Sequence, residues 1–173
     1  ETVHFDGETY KVHANISAKG SNGFGVVIAA LGEQMLRVTA ALADGTLTWC
    51  TGPATLAGHT IPTITKAADE FDRPAPRIIA ALPVCVTTDK VAAAERAAKV
   101  FAVYGTLPSY RAMLDREGAA GPADIAIMGS IGEVQDRVAA LADIGVTDFA
   151  AVEFGATPEE IANTRDAIKG LLK

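Results

Sequence analysis

The chain holds three histidines and two cysteines, and their spacing limits what chemistry they could do. His4, His13 and His59 do not gather with carboxylates at any separation that a metal site uses, so no metal is expected. His4 and His13 fall in a short alternating segment, where a surface position is the plain reading. His59 falls in an apolar helical stretch, where a catalytic role competes with simple packing. Cys50 and Cys85 are far apart and each sits in an apolar, strand-like run, as buried free thiols of a reducing cytoplasm would. No Gly-x-Ser-x-Gly elbow, Cys-x-x-Cys, His-Glu-x-x-His or Walker loop occurs. Gly20-Ser21-Asn22-Gly23-Phe24-Gly25 resembles a phosphate loop only superficially: its glycine spacing is wrong, and it precedes a strand where a dinucleotide fingerprint must follow one. The adjacent carboxylates Glu159-Glu160 and Asp69-Glu70 fall at helix ends or on solvated faces, where dipole complementarity and solubility account for them.

Two stretches remain. In Val27-Ile28-Ala29-Ala30-Leu31-Gly32-Glu33-Gln34-Met35 a buried strand ends in small residues and passes straight into a helix. Small residues let a ligand approach the backbone, and a helix N-terminus offers unpaired N–H groups and the positive end of its dipole, which suits a phosphate. Tight strand-to-helix packing is the competing explanation. The second stretch, Trp49-Cys50-Thr51-Gly52-Pro53, closes the next strand at the same end. The lone tryptophan beside a hydroxyl could line an aromatic-substrate pocket, or it could cap the core.

Punctuation along the chain shows what positions these residues. Residues 2–5 and 9–12 alternate around Asp6-Gly7, a hairpin signal, and an exposed connector over 14–25 follows. Val26 to Leu31 reads as a strand, and Glu33 to Ala43 as a helix with Met35, Leu36, Val38, Thr39 and Leu42 on one face. A strand over Thr46–Cys50 leads to a helix opening at Pro53, in which Pro62 predicts a kink or restart. Arg77 to Val86 is a third strand. Asp89 caps a helix reaching about Tyr104, and another runs from Pro108 to Glu117. After a short extended piece at Ile125–Met128, Ser130 and Glu133 form a capping box for a helix ending at Gly145. A strand over Thr147–Val152 and a final helix opening at Thr157-Pro158 complete the pattern.

Strand-helix alternation with short, two-sided apolar strands means an α/β fold with a parallel sheet covered by helices. With 173 residues the chain is one domain, and its four or so main strands make either a small open sheet or part of a (β/α)₈ barrel; a complete barrel takes about 250 residues, so the length permits only about half of one. Hydrophobic residues make up 49% and charged ones 21%, so a large core is available and disorder is excluded. Fifteen Lys and Arg against 21 Asp and Glu give a net charge of −6, which argues against nucleic acid or an anionic membrane as partner. The longest apolar runs, such as Ile78 to Cys85, are too short to span a bilayer, and no secretory leader is visible. A soluble cytoplasmic domain is expected.

Ala29-Ala30-Leu31-Gly32, followed by Met35-Leu36 and Ala43-Asp44-Gly45-Thr46, resembles the luciferase-like monooxygenase superfamily, and within it the deazaflavin-dependent oxidoreductases. Gly7-Glu8-Thr9-Tyr10 resembles the hairpin before that family's fifth strand, and Leu82-Pro83-Val84-Cys85-Val86-Thr87 its seventh strand. Leu107-Pro108-Ser109-Tyr110-Arg111 with Met113-Leu114 resembles the helical insertion after it, assigned to residues 88–128, and Gly145-Val146-Thr147-Asp148-Phe149 the eighth strand. The resemblance implies a TIM barrel of which this chain is the C-terminal half, strands five to eight, behind a hairpin and connector over 1–25. That connector lacks the prolines the family pattern implies.

The resemblance further implies that the backbone of Ala29, Ala30, Leu31 and Gly32, with Gln34 and Met35, holds the phosphate or ribityl arm of coenzyme F-420 (8-hydroxy-5-deazaflavin) or, alternatively, of FMN. Trp49 and Thr51 are implied to face the bound ring and a small organic substrate. No proton donor can be named, since hydride transfer depends on the cofactor more than on a side chain. The ring contacts, a strained cis peptide, much of the substrate pocket and the usual dimer contacts are implied to lie in the first four βα units. Pairing with that half, or a homodimer, is the expected assembly. Two other readings stand beside an oxidoreductase: a non-catalytic half-barrel stable only beside its complement, and an unrelated doubly wound binding domain, which predicts a sheet with no unpaired edge strand.

Overall fold

The computed structural model describes residues 2–15 and 24–172, so most of the connector, including the start of the glycine-rich stretch at residues 20–23, lies outside the described residues. The hairpin joins β1 (Thr2–Asp6) and β2 (Lys11–Asn15) in antiparallel register with Asp6 opposite Lys11. Its turn is the four residues 7–10, closed by the Gly7 N–H on the Tyr10 carbonyl at 2.8 Å, rather than a two-residue Asp6-Gly7 turn. His4 and His13 face each other across it, both exposed, with their Nδ1 atoms 3.0 Å apart.

Five parallel strands form the main sheet: β3 (Val27–Ala29), β4 (Gly45–Trp49), β5 (Arg77–Val86), β6 (Ile127–Gly129) and β7 (Asp148–Glu153). The ten-residue β5 organises it. Arg77 N–H donates to Asp44 and the Ala81 carbonyl accepts from Cys50, so odd-numbered residues of β5 bond towards β4. Thr87 N–H donates to Gly129, which puts β6 on that same edge, beyond the point where β4 leaves. Even-numbered residues bond towards β7, as the Val84 carbonyl accepting from Phe154 shows. Pro83 has no N–H to donate, and its odd position aims the missing donor into the gap between β4 and β6. A proline inside a central strand costs no ladder bond there.

Helices pack around this sheet. They are α1 (Glu33–Leu42), a short α2 (Pro53–Thr55), α3 (Ile61–Glu70), α4 (Lys90–Val100), α5 (Pro108–Glu117), a short α6 (Pro122–Ile125), α7 (Ile131–Asp143) and α8 (Pro158–Lys169). Ile78, Ala80, Leu82 and Val84 of β5 meet Leu36 and Ala40 of α1, Ile64 of α3 and Val134 and Leu141 of α7 in the main core. A smaller cluster at the C-terminal end of β5 joins Cys85 to Ala93, Ala97, Phe101 and Phe154. The opposite face is lined in register by Ala29, Leu47 and Ile79, then by Trp49, Ala81 and Ala150. Most of these residues remain half-buried or exposed, and the edge residues Val27 and Val152 are 39% and 37% exposed. β3 and β7 each pair on one side only among the described residues, which overturns the closed, self-sufficient sheet that an unrelated binding domain predicts. An uncovered apolar inner face between two free parallel edges is a barrel cut in half.

The start and stop signals hold. The side chains of Asp89, Ser130 and Thr157 accept the N–H groups of Ala92, Glu133 and Glu160, and Gly118 closes α5 in the left-handed region at φ 74°. The helix expected to continue to Tyr104 ends at Val100 and finishes as a 3₁₀ turn over Ala102–Gly105. On α1 the buried residues are Leu36, Thr39 and Ala40, while Met35, Val38 and Leu42 face outward, 46%, 43% and 74% exposed. The inward stripe is thus rotated from the expected face, because each step along the helix turns 100° and α1 packs on β4 and α3.

Candidate functional site at the C-terminal ends of the strands

Short β3 ends at Ala29, and Ala30 and Leu31 carry the chain to Gly32, which caps α1 without a side chain. The Gly32 φ of −80° is ordinary for any residue, and a Cβ built there meets no atom within 4 Å. Neither backbone conformation nor packing within this chain therefore asks for glycine. The N–H groups of Gly32, Glu33, Gln34 and Met35 find no acceptor among the described residues, as first-turn donors do without a cap. One strand over, Cys50 leaves β4 with a left-handed φ of 48°, unusual for a residue with a Cβ, and Thr51-Gly52-Pro53 starts the next helix.

A cavity of about 260 Å³ lies between these two strand ends, lined by Ala29, Ala30, Leu31, Gly32, Met35, Leu47, Trp49, Ser109 and Tyr110. Six of the eight candidate site residues meet there. Gln34 does not: one helical step from Met35, it lies with Arg37, Val38, Leu42 and Phe71 on the flank of α1. Thr51 is 1% exposed and its hydroxyl donates to the Trp49 carbonyl at 3.3 Å, so the turn at Cys50 directs it inward, away from the cavity. His59 does not line the cavity; its Nε2 lies 3.0 Å from the Leu31 carbonyl behind it.

Trp49 lines the cavity and also packs against both core clusters. Its ring meets Phe101 and Tyr104 edge-on with centroids 5.6 Å away, and Tyr104 meets Tyr110 at 5.0 Å. Such T-shaped contacts fix its orientation. Ser109 and Tyr110 were not among the candidates. They come from the first turn of α5, where Pro108 at N1 and Leu107 as N-cap leave a second helix start without a side-chain cap. Pro108 marks that helix start in the sequence, but nothing local says that it reaches across to β3. Glu117 at the other end of α5 docks it, accepting from the N–H groups of Ala54 and Thr55 at 3.1 and 2.7 Å.

Among the described residues no lysine or arginine lines the cavity, and Glu33 adds an acid to the first turn of α1. Burial pushes the Cys50 thiol up to about 12, and burial, with Tyr104 and Cys50 adding to it, raises the Tyr110 phenol. Both stay protonated near neutrality. Glu160 departs from the solvated role expected of it: it accepts from Ala156 N–H at 2.6 Å, Thr87 Oγ1 at 2.9 Å and Arg96 at 3.3 Å. Those bonds, that of Ala156 first, lower its pKa and join α8 to β5 and α4.

A sequence profile of luciferase-like monooxygenases matches residues 1–171. The chain belongs to the luciferase-like monooxygenase family. No curated protein matches it in sequence. Among solved structures, an F-420-dependent secondary alcohol dehydrogenase in complex with an F-420–acetone adduct superposes with a TM-score of 0.73 at 16% identity, over 99% of this chain and 56% of that one. The coenzyme F-420-dependent tetrahydromethanopterin reductase of Methanopyrus kandleri gives a TM-score of 0.69 at 20% identity, over 94% and 55%. The oxygenating constituent of 3,6-diketocamphane monooxygenase from Pseudomonas putida, in complex with FMN, gives 0.61 at 12% identity, over 97% and 57%. The luciferase-like chain thus spans about half the length of the structures it resembles. The cut barrel and this half coverage agree.

Proposed function

We propose that this chain is the C-terminal half of a luciferase-like oxidoreductase, and that its cavity holds the phosphate-bearing arm of a deazaflavin coenzyme. The observation that carries the reading is the convergence of two uncapped helix starts, those of α1 and α5, on one cavity that has no cationic side chain among the described residues. Unpaired N–H groups and two positive dipole ends suit an anion. With no lysine or arginine among its described residues, and with Glu33 in the first turn, such a site suits one negative charge better than two. The phosphate of coenzyme F-420 is a diester with a single charge. That of FMN is a monoester whose second proton leaves near pH 6, so it is close to doubly charged at neutrality.

The residues fit part of such a molecule. About 260 Å³ is below the volume of a typical cofactor site, so Gly32 and its neighbours would hold the arm, while Trp49, Leu47 and Tyr110 would border the near edge of the ring. When bound, the cofactor would supply a hydride donor or acceptor for a small organic substrate. Trp49 and Tyr110 would exclude water on this side, and no side chain of the cavity offers a base. The open inner face and the free edges of β3 and β7 favour pairing with a complementary N-terminal half, a second copy of the chain being the alternative. FMN remains the second cofactor, supported by the FMN-bound relative.

Titration of the chain with coenzyme F-420, FMN and inorganic phosphate, followed by cofactor fluorescence and calorimetry, tests this. F-420 binding at least tenfold more tightly than FMN supports the reading. Tighter FMN binding selects the alternative, and binding of neither, with or without a complementary half, removes the enzyme assignment.

A further inference from the structure

The helix after β4 has one irregularity. Pro62 has no N–H, and in a regular helix its ring would crowd the carbonyl of Gly58 four residues earlier. Over Leu56–Thr60 the helix widens into a π-turn, closed by Ile61 N–H on the Leu56 carbonyl five residues back, before α3 resumes. Such single π-turns often mark functional sites. This one carries His59 to the loop that ends β3.

His59 Nε2 lies 3.0 Å from the carbonyl oxygen of Leu31. A carbonyl only accepts, so Nε2 carries the proton and donates it. No peptide bond among the described residues is cis, so the Gly32 N–H points opposite to the Leu31 carbonyl across their shared peptide plane. Holding that oxygen therefore aims the Gly32 N–H away from His59. Leu31 and Gly32 line the cavity while His59 stands behind them.

We propose that His59 is a positioning residue: through the Leu31 carbonyl it sets the Leu31–Gly32 peptide plane, and with it the direction of the backbone N–H groups that receive the ligand's phosphate. This rests on the reading of the cavity given above. His59 touches neither ligand nor reacting atoms in this role. Its effect is therefore confined to ligands that carry the phosphate.

The test uses His59→Leu, which removes the donor, and His59→Gln, which returns an N–H at similar reach. Affinities are measured for F-420 and FMN and for their phosphate-free counterparts, the 8-hydroxy-5-deazaflavin chromophore with its ribityl chain and riboflavin. The Gly32 amide is followed by ¹⁵N–¹H NMR. We expect His59→Leu to weaken the phosphate-bearing ligands about tenfold, the worth of one such hydrogen bond, and to leave the phosphate-free ones within twofold. The Gly32 amide resonance shifts in His59→Leu, and His59→Gln restores both the resonance and the affinity. Equal weakening of both ligand classes, or an unmoved Gly32 amide, overturns the proposal. Wild-type protein that binds none of the ligands overturns the reading of the cavity and the anion-directing role together, and the Gly32 amide then decides the tether alone.

Discussion

Cys50 and Cys85 are both fully buried, and burial is the first cause that raises each thiol. Only the thiolate attacks a disulfide reagent, so neither residue should react with Ellman's reagent in the native chain, and both should react once urea unfolds it. Fast labelling of one thiol in the folded protein would show that its cover opens locally. At this scale the sequence was informative about burial, since both cysteines stand in apolar runs. It was silent about direction. Trp49 and Thr51 are two residues apart, yet the left-handed φ of Cys50 between them leaves one in the cavity and turns the other into the core. Gln34 lies apart from the other candidates for a similar reason, because one helical step separates the cavity from the outer flank of α1.

The elements were legible where side chains act on their own backbone. Ser130 with Glu133 and Thr157 with Pro158 marked helix starts that the structure contains, and Pro62 marked a discontinuity that proved to be a π-turn. Pro62→Ala should let the helix close regularly, removing the π-turn and rotating His59 off Leu31. Thermal stability should hold or rise, while affinity for a phosphate-bearing cofactor falls about as far as in His59→Leu; a crystal structure retaining the π-turn would refute this.

Glu133 is held down to about 2, first by its bond to Lys90 and then by those to Ser130. A carboxyl whose folded pKa is depressed adds stability that is complete above its unfolded value, near 4.5, and is lost as pH falls towards 2. Glu160, also lowered, acts in the same direction. Urea midpoints should therefore drop on acidification through that window, and less steeply in Glu133→Gln. The buried face of α1 shows the limit of such reading. Its apolar residues are spread widely enough for two stripes, and packing on α3 and β4, not periodicity, chose Leu36, Thr39 and Ala40.

At the scale of the whole molecule, the free edges of the sheet carry the prediction. Val26 accepts from Asp44, so the alternate residues Val27 and Ala29 direct their N–H groups away from β4, and on β7 the alternation turns those of Phe149 and Ala151 away from β5. Their amides should exchange with deuterium far faster than those of β5 in the isolated chain, and slow by tenfold or more when a complementary half is added. Unchanged exchange after a half is added would rule out closure through these edges. The sequence by itself determined the α/β class, the order of strands and helices, the helix caps, the burial of both cysteines and the family. Each of those follows from local periodicity, from side chains bonding their own backbone, or from motif words. Only the tertiary structure decided that Ser109 and Tyr110 reach across to Ala29 and Gly32, that Thr51 turns away, that His59 grips Leu31, and that one face of the sheet stands open. Those facts depend on which distant elements share a strand end, and that is settled by how helices pack on a sheet rather than by any residue's own preference.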